Sequence, residues 1–309
     1  MAKEWQVTVQ SEMLSQECTS WQELIHQRCG LYFSDNRLQG LHKCLRQRMR
    51  LCRMQSYREY YHYVASQPSG SGEWQALLDL LLNNETGFFR HLPSFTALTQ
   101  HVLPELMCNR LPSTPIKMWS AGCSMGQEAY SLAIAFLETT ALMSCVPLSH
   151  VRSEPDCQAA IKGSDISQRA LRKAHQGQYK PHEARSLPKH YLQHYFTALG
   201  EGRQVVYQVI PRLQQMVEFG YVNLHDPDSS PFSPLPFIGG RGEGVDVIFC
   251  QNVLIYFTPE DRAQIVKRLC QRLRPEGYLF LGPAEAMGLI VAGMEPVRLD
   301  DTLIYRRAR

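Results

Sequence analysis

Four apolar runs end in polar or small residues that could do chemistry. Residues 116–121 (IKMWSA) give way to a turn from Gly122 to Gly126 with Glu128 just beyond, and residues 159–165 (AAIKGSD) end on Asp165. Residues 216–222 (MVEFGYV) are followed by Asn223 and Leu224, and residues 245–250 (VDVIFC) by Gln251 and Asn252. In an open parallel sheet, ligands sit beyond the carboxyl ends of the strands where the strand order reverses, so these positions are candidates to line one site. A carboxylate after the second strand suits a ribose, because it can accept hydrogen bonds from two neighbouring hydroxyls. Each residue also has a plainer role. Small residues let a helix turn back closely, Asp165 can cap a helix, and Asn223 and Asn252 can close turns on their own backbone. Four such ends in succession argue for a shared ligand.

That ligand is not a dinucleotide. The G-x-G-x-x-G pattern is missing, with only Gly122 and Gly126 in place, and Asp165 follows some forty positions later. The dinucleotide fingerprint places its acidic residue about 20 positions on. A nucleoside ligand without phosphates fits better. In residues 83–95 (NNETGFFRHLPSF), polar Asn84, Thr86 and Arg90 surround Phe88 and Phe89. The phenylalanines read as a plug between domains, and the polar residues as one wall of the pocket. His190 and His194 are four apart, but no third ligand is near, so no metal site is expected.

The elements that must position these residues follow from periodicity. From residue 20 to about residue 84 apolar residues recur by threes and fours, which predicts a helical domain over 1–84. Its second helix carries Lys43, Arg46, Arg50 and Arg53 at the same spacing, lining four cations along one face. Residues 85–112 read as a linker and first helix closing one side of the pocket. From residue 113 to 309, six strand patterns (those above, 277–282 and 302–307) alternate with helices, which predicts an α/β domain with a parallel sheet covered on both faces. Residues 178–213 carry their own helix and strand patterns and read as an inserted subdomain. Residues 225–244 are rich in Pro, Gly and Ser and read as a long irregular loop. Thr258 followed by Pro259, Glu260 and Asp261 marks a helix start.

Composition narrows the class. A formal charge of +3 in 309 residues is too mild for a nucleic-acid binder. Ten cysteines without a C-x-x-C pair read as reduced core thiols. No leader pattern stands at the amino terminus, and no apolar run reaches the roughly 20 residues that span a bilayer. The expectation is a cytoplasmic protein.

Six stretches, NNETGFFR, WSAGCSMGQEAYSLAI, GSDISQRALRKAHQGQY, VEFGYVNL, VDVIFCQNVLIYF and LRPEGYLFLGPAEA, follow one another in the order of a known family, within a likeness that spans roughly residues 21–307. Together they resemble the CheR-type chemotaxis receptor methyltransferases. The resemblance implies an S-adenosylmethionine-dependent enzyme that esterifies glutamate side chains on chemoreceptor cytoplasmic helices and releases S-adenosylhomocysteine. It also implies a Rossmann-like class I methyltransferase domain, an N-terminal all-helical domain and a small β-subdomain at 178–213. By motif, Asn84, Thr86, Arg90, Glu128, Asp165, Asn223, Leu224, Gln251 and Asn252 would contact the cofactor. Tyr256 is the candidate to orient the substrate carboxylate, and Lys43, Arg46, Arg50 and Arg53 the candidate docking face for a Glu-rich receptor helix. No nucleic-acid partner, no membrane insertion and a monomer are expected.

The chemistry agrees with what is absent. A glutamate carboxylate, with a pKa of about 4.3, is already ionised at neutral pH, so methyl transfer to it needs no general base. The Pro-Pro-aromatic motif of nitrogen methylation is missing, and Gln251 to Tyr256 stand in its place. Enteric members have an arginine a dozen or so residues after Phe-Phe-Arg. Residues 99–107 (TQHVLPELM) have none, which leaves the substrate-side cation unassigned. The competing reading is a non-catalytic regulatory module that binds S-adenosylmethionine or its product; a small-molecule or nucleic-acid methyltransferase is disfavoured by the charge and the missing motif.

Overall fold

A computed structural model describes residues 13–109, 114–144, 158–229 and 244–309. The chain forms two units, one comprising residues up to Asn83 with Tyr256–Arg262, the other Asn84–Ile255 with Ala263–Arg309.

The first unit holds helices α1 (Ser15–Cys29), α2 (Leu38–Leu51), α3 (Tyr57–Ala65) and α4 (Gly72–Leu81). Three of the four start or stop on a local signal. Gly30 ends α1 in the left-handed region at φ 72°, while the Ser56 and Ser71 hydroxyls accept from the backbone N–H groups of Glu59 and Trp74. Trp21, Leu41, Leu45, Tyr60 and Leu77 fill the core, with the Trp21 and Tyr60 rings 5.1 Å apart. Glu73 ties three helices together. It accepts from two of the three guanidinium nitrogens of Arg48, at 3.0 and 2.6 Å, and from the Tyr60 hydroxyl at 2.6 Å.

The basic stripe is shorter than its spacing predicts. α2 ends at Leu51, Arg53 lies beyond it at φ 57°, and the N–H groups of Arg53 and Met54 donate back to the carbonyls of Arg50 and Met49. This reversal takes Arg53 off the helix face. Lys43, Arg46 and Arg50 remain exposed on α2, and Arg46 Nε donates to the Tyr57 hydroxyl at 2.9 Å.

Residues 256–262, expected within the sheet domain, pack with the helical unit. The Tyr32 N–H donates to the Tyr256 carbonyl at 2.9 Å, and His26 Nε2 lies 2.7 Å from Asp261 Oδ2.

In the second unit, α5 (Leu92–Ala97) and α6 (Leu103–Cys108) flank a π-helical turn at Leu98–Val102. Pro104, lacking an N–H, sits in the first turn of α6. Then follow β1 (Ile116–Ala121), α7 (Gln127–Met143), β2 (Ala159–Asp165) and α8 (Gln168–Gln176). The insertion contributes β3 (Gln178–Tyr179), α9 (Lys189–Tyr195), β4 (Phe196–Leu199) and β5 (Val206–Val209), with a three-stranded antiparallel sheet in the order β3-β5-β4. The chain continues through α10 (Pro211–Met216), β6 (Val217–Tyr221), β7 (Val245–Cys250), α11 (Pro259–Arg272), β8 (Leu273–Leu281), α12 (Pro283–Ala286), β9 (Met294–Leu299) and β10 (Thr302–Arg307).

The main sheet runs β6-β2-β1-β7-β8-β10-β9. β1, β2, β6, β7 and β8 pair in parallel, as the apolar runs predict, and β10 pairs antiparallel with both β8 and β9. The expectation of an all-parallel sheet therefore fails at one edge. β9 has no apolar run to announce it, since its sequence MEPVRL buries only Met294 fully. An edge strand exposed to water needs no such run, and its Pro296 is tolerated there. The order reverses at β1, which has β2 on one side and β7 on the other. In the core, Phe249 of β7 and Phe280 of β8 stack at 4.3 Å and Phe95 of α5 meets Phe249 at 5.3 Å.

Most of the Pro/Gly/Ser-rich loop, residues 230–243, lies outside the described residues, as do Cys145 and Cys157. The described cysteines are all free thiols. Cys29, Cys123, Cys250 and Cys270 are buried, whereas Cys108 is exposed and so departs from the expectation of core thiols.

Candidate functional site

The turn after β1 is built from left-handed residues: Gly122, Ser124 and Gly126 have φ of 87°, 49° and 91°. Glycine is needed here for packing as well as for φ. A Cβ at Gly122 would lie 2.4 Å from Val253 Cγ2, and one at Gly126 would lie 2.9 Å from Ala174 Cβ and 3.1 Å from the Tyr179 hydroxyl. The turn is also held by hydrogen bonds. The N–H groups of Gly122 and Cys123 donate to the Ser164 carbonyl at 2.8 Å, and the Tyr179 hydroxyl of the insertion donates to the Met125 carbonyl at 2.7 Å. Neither Ser164 nor Tyr179 announces such a role by residue type or spacing.

Asp165 closes the turn from the neighbouring strand. Its two oxygens accept from the N–H groups of Ser124 and Ser167, each at 2.8 Å. The cap of α8 is Ser167, whose hydroxyl accepts from the Ala170 N–H at 3.0 Å, so Asp165 is not the N-cap its position suggested.

Glu128 stands in the first turn of α7 and accepts the Ser120 hydroxyl at 2.6 Å. Burial pushes its carboxyl up to about 7, and the charge of Glu285 adds to the rise; the Ser120 bond and the Arg90 charge oppose it. Arg90 is exposed and donates to the Glu85 carbonyl at 2.8 Å, while Asn84 and Thr86 are partly buried on the same segment. Phe88 and Phe89 do plug a gap, but inside the second unit. Phe88 meets Tyr179 and Phe196 edge-on at 4.9 and 5.4 Å, and Phe89 packs on Phe95 and Tyr191.

Asn223 is buried and makes an Asx turn, its Oδ1 accepting from the His225 N–H at 3.1 Å. The Leu224 carbonyl accepts from Arg268 at 2.6 Å. Gln251 is buried too, and its amide nitrogen donates to the Ser94 hydroxyl at 2.8 Å and the Leu281 carbonyl at 3.2 Å. Those donors brace the end of β7 against α5 and β8. Asn252 is left-handed at φ 61°, and its N–H goes to Glu285 at 2.9 Å. Spacing along the chain does not single out Glu285. Its one local signal is a helix start, Gly282 followed by Pro283 with Glu285 third.

Tyr256 ends a short 3₁₀ turn, Leu254–Tyr256. Its ring lies under the Arg37 guanidinium, 5.0 Å from the centroid, within the helical unit. On α2, Lys43, Arg46 and Arg50 line a concave strip with Gln39, Gln47 and Leu51. His190 and His194 are exposed on α9, and among the described residues no group of three or more His, Cys, Asp or Glu could hold a metal. Nor is any helix among them long and apolar enough to cross a membrane.

The turn after β1 thus has a carboxylate on either side, Asp165 from β2 and Glu128 from α7. This pair of acceptors suits a ligand with a cationic group and vicinal hydroxyls and would repel a pyrophosphate.

Comparison with known proteins points the same way. Residues 84–298 match the family model described as CheR methyltransferase, SAM binding domain, and residues 16–82 match CheR methyltransferase, all-alpha domain. The chain is 33% identical to chemotaxis protein methyltransferase 2 of Vibrio cholerae, covering 87% of this chain and 85% of the relative. It is 32% identical to chemotaxis protein methyltransferase 1 of Pseudomonas aeruginosa, covering 91% and 94%. With the chemotaxis protein methyltransferase of Escherichia coli the identity is 30%, over 85% and 82%.

Proposed function

Because the chain belongs to the CheR methyltransferase family and carries its S-adenosylmethionine-binding domain, we propose that it methylates glutamate side chains on the cytoplasmic helices of a chemoreceptor. The products are glutamyl methyl esters and S-adenosylhomocysteine. The observation that carries this reading is the pair of carboxylates, Glu128 and Asp165, on either side of a turn built without a pyrophosphate-binding glycine pair.

Bound S-adenosylmethionine supplies an electrophilic methyl group on a sulfonium. The chain's own residues bind and orient. Asp165 receives ribose hydroxyls while its backbone bonds keep it in place, since a carboxylate offers about four acceptor positions. Glu128 takes the cofactor's ammonium group. Asn84, Thr86, Arg90, Asn223, Leu224, Gln251 and Asn252 complete the contacts, with Gln251 acting chiefly as a brace because its amide donors are engaged by Ser94 and Leu281. Tyr256 orients the substrate carboxylate, which needs no base because it is ionised near neutral pH. Orientation of this kind can supply about 7 to 11 kcal/mol. The exposed cations of α2, Lys43, Arg46 and Arg50, dock the acidic receptor helix.

The test is incubation with labelled S-adenosylmethionine and receptor cytoplasmic domains, followed by mild alkali. Label released as methanol supports the glutamyl ester. Label that survives alkali, or no transfer at all, argues against it.

A further inference from the structure

Glu285 is 2% exposed, yet its carboxylate receives four backbone N–H groups. Oε2 accepts from Gly282 at 2.7 Å and Asn252 at 2.9 Å; Oε1 accepts from Val253 at 2.8 Å and Leu254 at 2.7 Å. Starting α12 uses only the Gly282 N–H. The other three come from the turn after β7, more than thirty positions away in sequence.

That turn needs an outside partner. Asn252 is left-handed at φ 61°, a conformation that asparagine tolerates better than other residues with a Cβ but that takes its N–H out of the strand ladder. Buried N–H groups left without acceptors are costly. The turn also leans directly on its neighbour, because the Val253 methyls occupy the space a Cβ would take at Gly122. One carboxylate therefore holds the strand-end turn of β7 where it meets the strand-end turn of β1.

We propose that Glu285 is a positioning residue for the cofactor site: by gathering the N–H groups of Asn252, Val253 and Leu254, it sets the place of Asn252 and the register of the two turns. This rests on the reading of Asn252 as a cofactor contact. Glu285 touches neither cofactor nor substrate; it acts through the backbone. Its charge also reaches Glu128 and helps to raise that carboxyl, so removing it changes the pH dependence of cofactor binding as well as the affinity.

The test is Glu285→Gln in the full chain, with S-adenosylhomocysteine and S-adenosylmethionine binding followed by calorimetry between pH 5.5 and 8.5. The amide keeps the shape but turns an NH₂ toward two N–H donors. About tenfold weaker binding of both ligands, with the pH midpoint for S-adenosylmethionine moved downward, supports the proposal. A control is Leu106→Ala, a buried change on α6 chosen for a similar loss of melting temperature. If Glu285→Gln binds like wild type, or if Leu106→Ala loses as much affinity, the proposal is overturned. Should Glu285→Gln fail to fold, Gly282→Ala decides. Its Cβ would stand 2.4 Å from Glu285 Oε2 and displace the carboxylate, so a tenfold loss supports the proposal and unchanged binding overturns it. Wild-type protein that binds neither ligand would sink the cofactor reading itself, and this inference with it.

Discussion

The Ser120 hydroxyl donates to the Glu128 carboxylate at 2.6 Å, joining the end of β1 to the first turn of α7 across the turn between them. The bond favours the ionised carboxylate, but burial outweighs it and the Glu285 charge adds to the rise, leaving Glu128 at about 7. A carboxyl poised there ionises fully when a cation arrives.

This gives a pH prediction with a definite sign. A carboxyl raised from 4.5 to about 7 by folding binds a proton more tightly in the folded state, so its contribution to stability is lost as pH climbs through that window. In the absence of ligand, Glu128→Gln should melt above wild type at pH 8 and close to it at pH 4.5. Affinity for S-adenosylmethionine should rise with pH across the same window in wild type and lose that rise in the variant. Scanning calorimetry and titration calorimetry check the two halves.

Asp165→Asn should fold, because Ser167 and not Asp165 caps α8. The amide can accept from only one of the Ser124 and Ser167 N–H groups and loses the charge that suits two hydroxyls. Binding of S-adenosylhomocysteine should weaken by about tenfold or more, with circular dichroism unchanged.

Gly126→Ala should be among the more damaging single changes in the second unit. It places a Cβ 2.9 Å from Ala174 Cβ at φ 91°, where the left-handed backbone alone costs roughly 1 to 2 kcal/mol. A drop of several degrees in melting temperature is expected, and a variant as stable as wild type would contradict the packing described for this turn.

Charge reversal at Lys43 and Arg50 should impair receptor methylation while leaving S-adenosylhomocysteine affinity within about twofold. Arg53→Glu should do less, because Arg53 lies past the end of α2 at φ 57°. Equal effects from all three would favour a general field over a docking face.

Tyr256→Phe keeps the ring beneath Arg37 and removes only the hydroxyl. Slower turnover at saturating cofactor, with unchanged cofactor affinity, is the outcome expected of a substrate-orienting group. Unchanged turnover would release Tyr256 from that role.

Much of this was written along the chain. Helical periodicity marked the first unit, five apolar runs marked the parallel strands, and small or polar residues at their ends marked the turns, because helix faces, buried strands and turns each impose a short-range pattern. Other features depend on groups distant in sequence. Arg53 keeps the spacing of the stripe yet leaves it, since two backbone bonds reverse the chain after Leu51. Gln251 reads as a free polar end until Ser94 and Leu281 take its donors, and Glu285 reads as a helix start until Asn252, Val253 and Leu254 bring theirs. A buried hydrogen bond is satisfied by whichever group folding carries within about 3 Å, and no spacing rule along the chain states which group that will be.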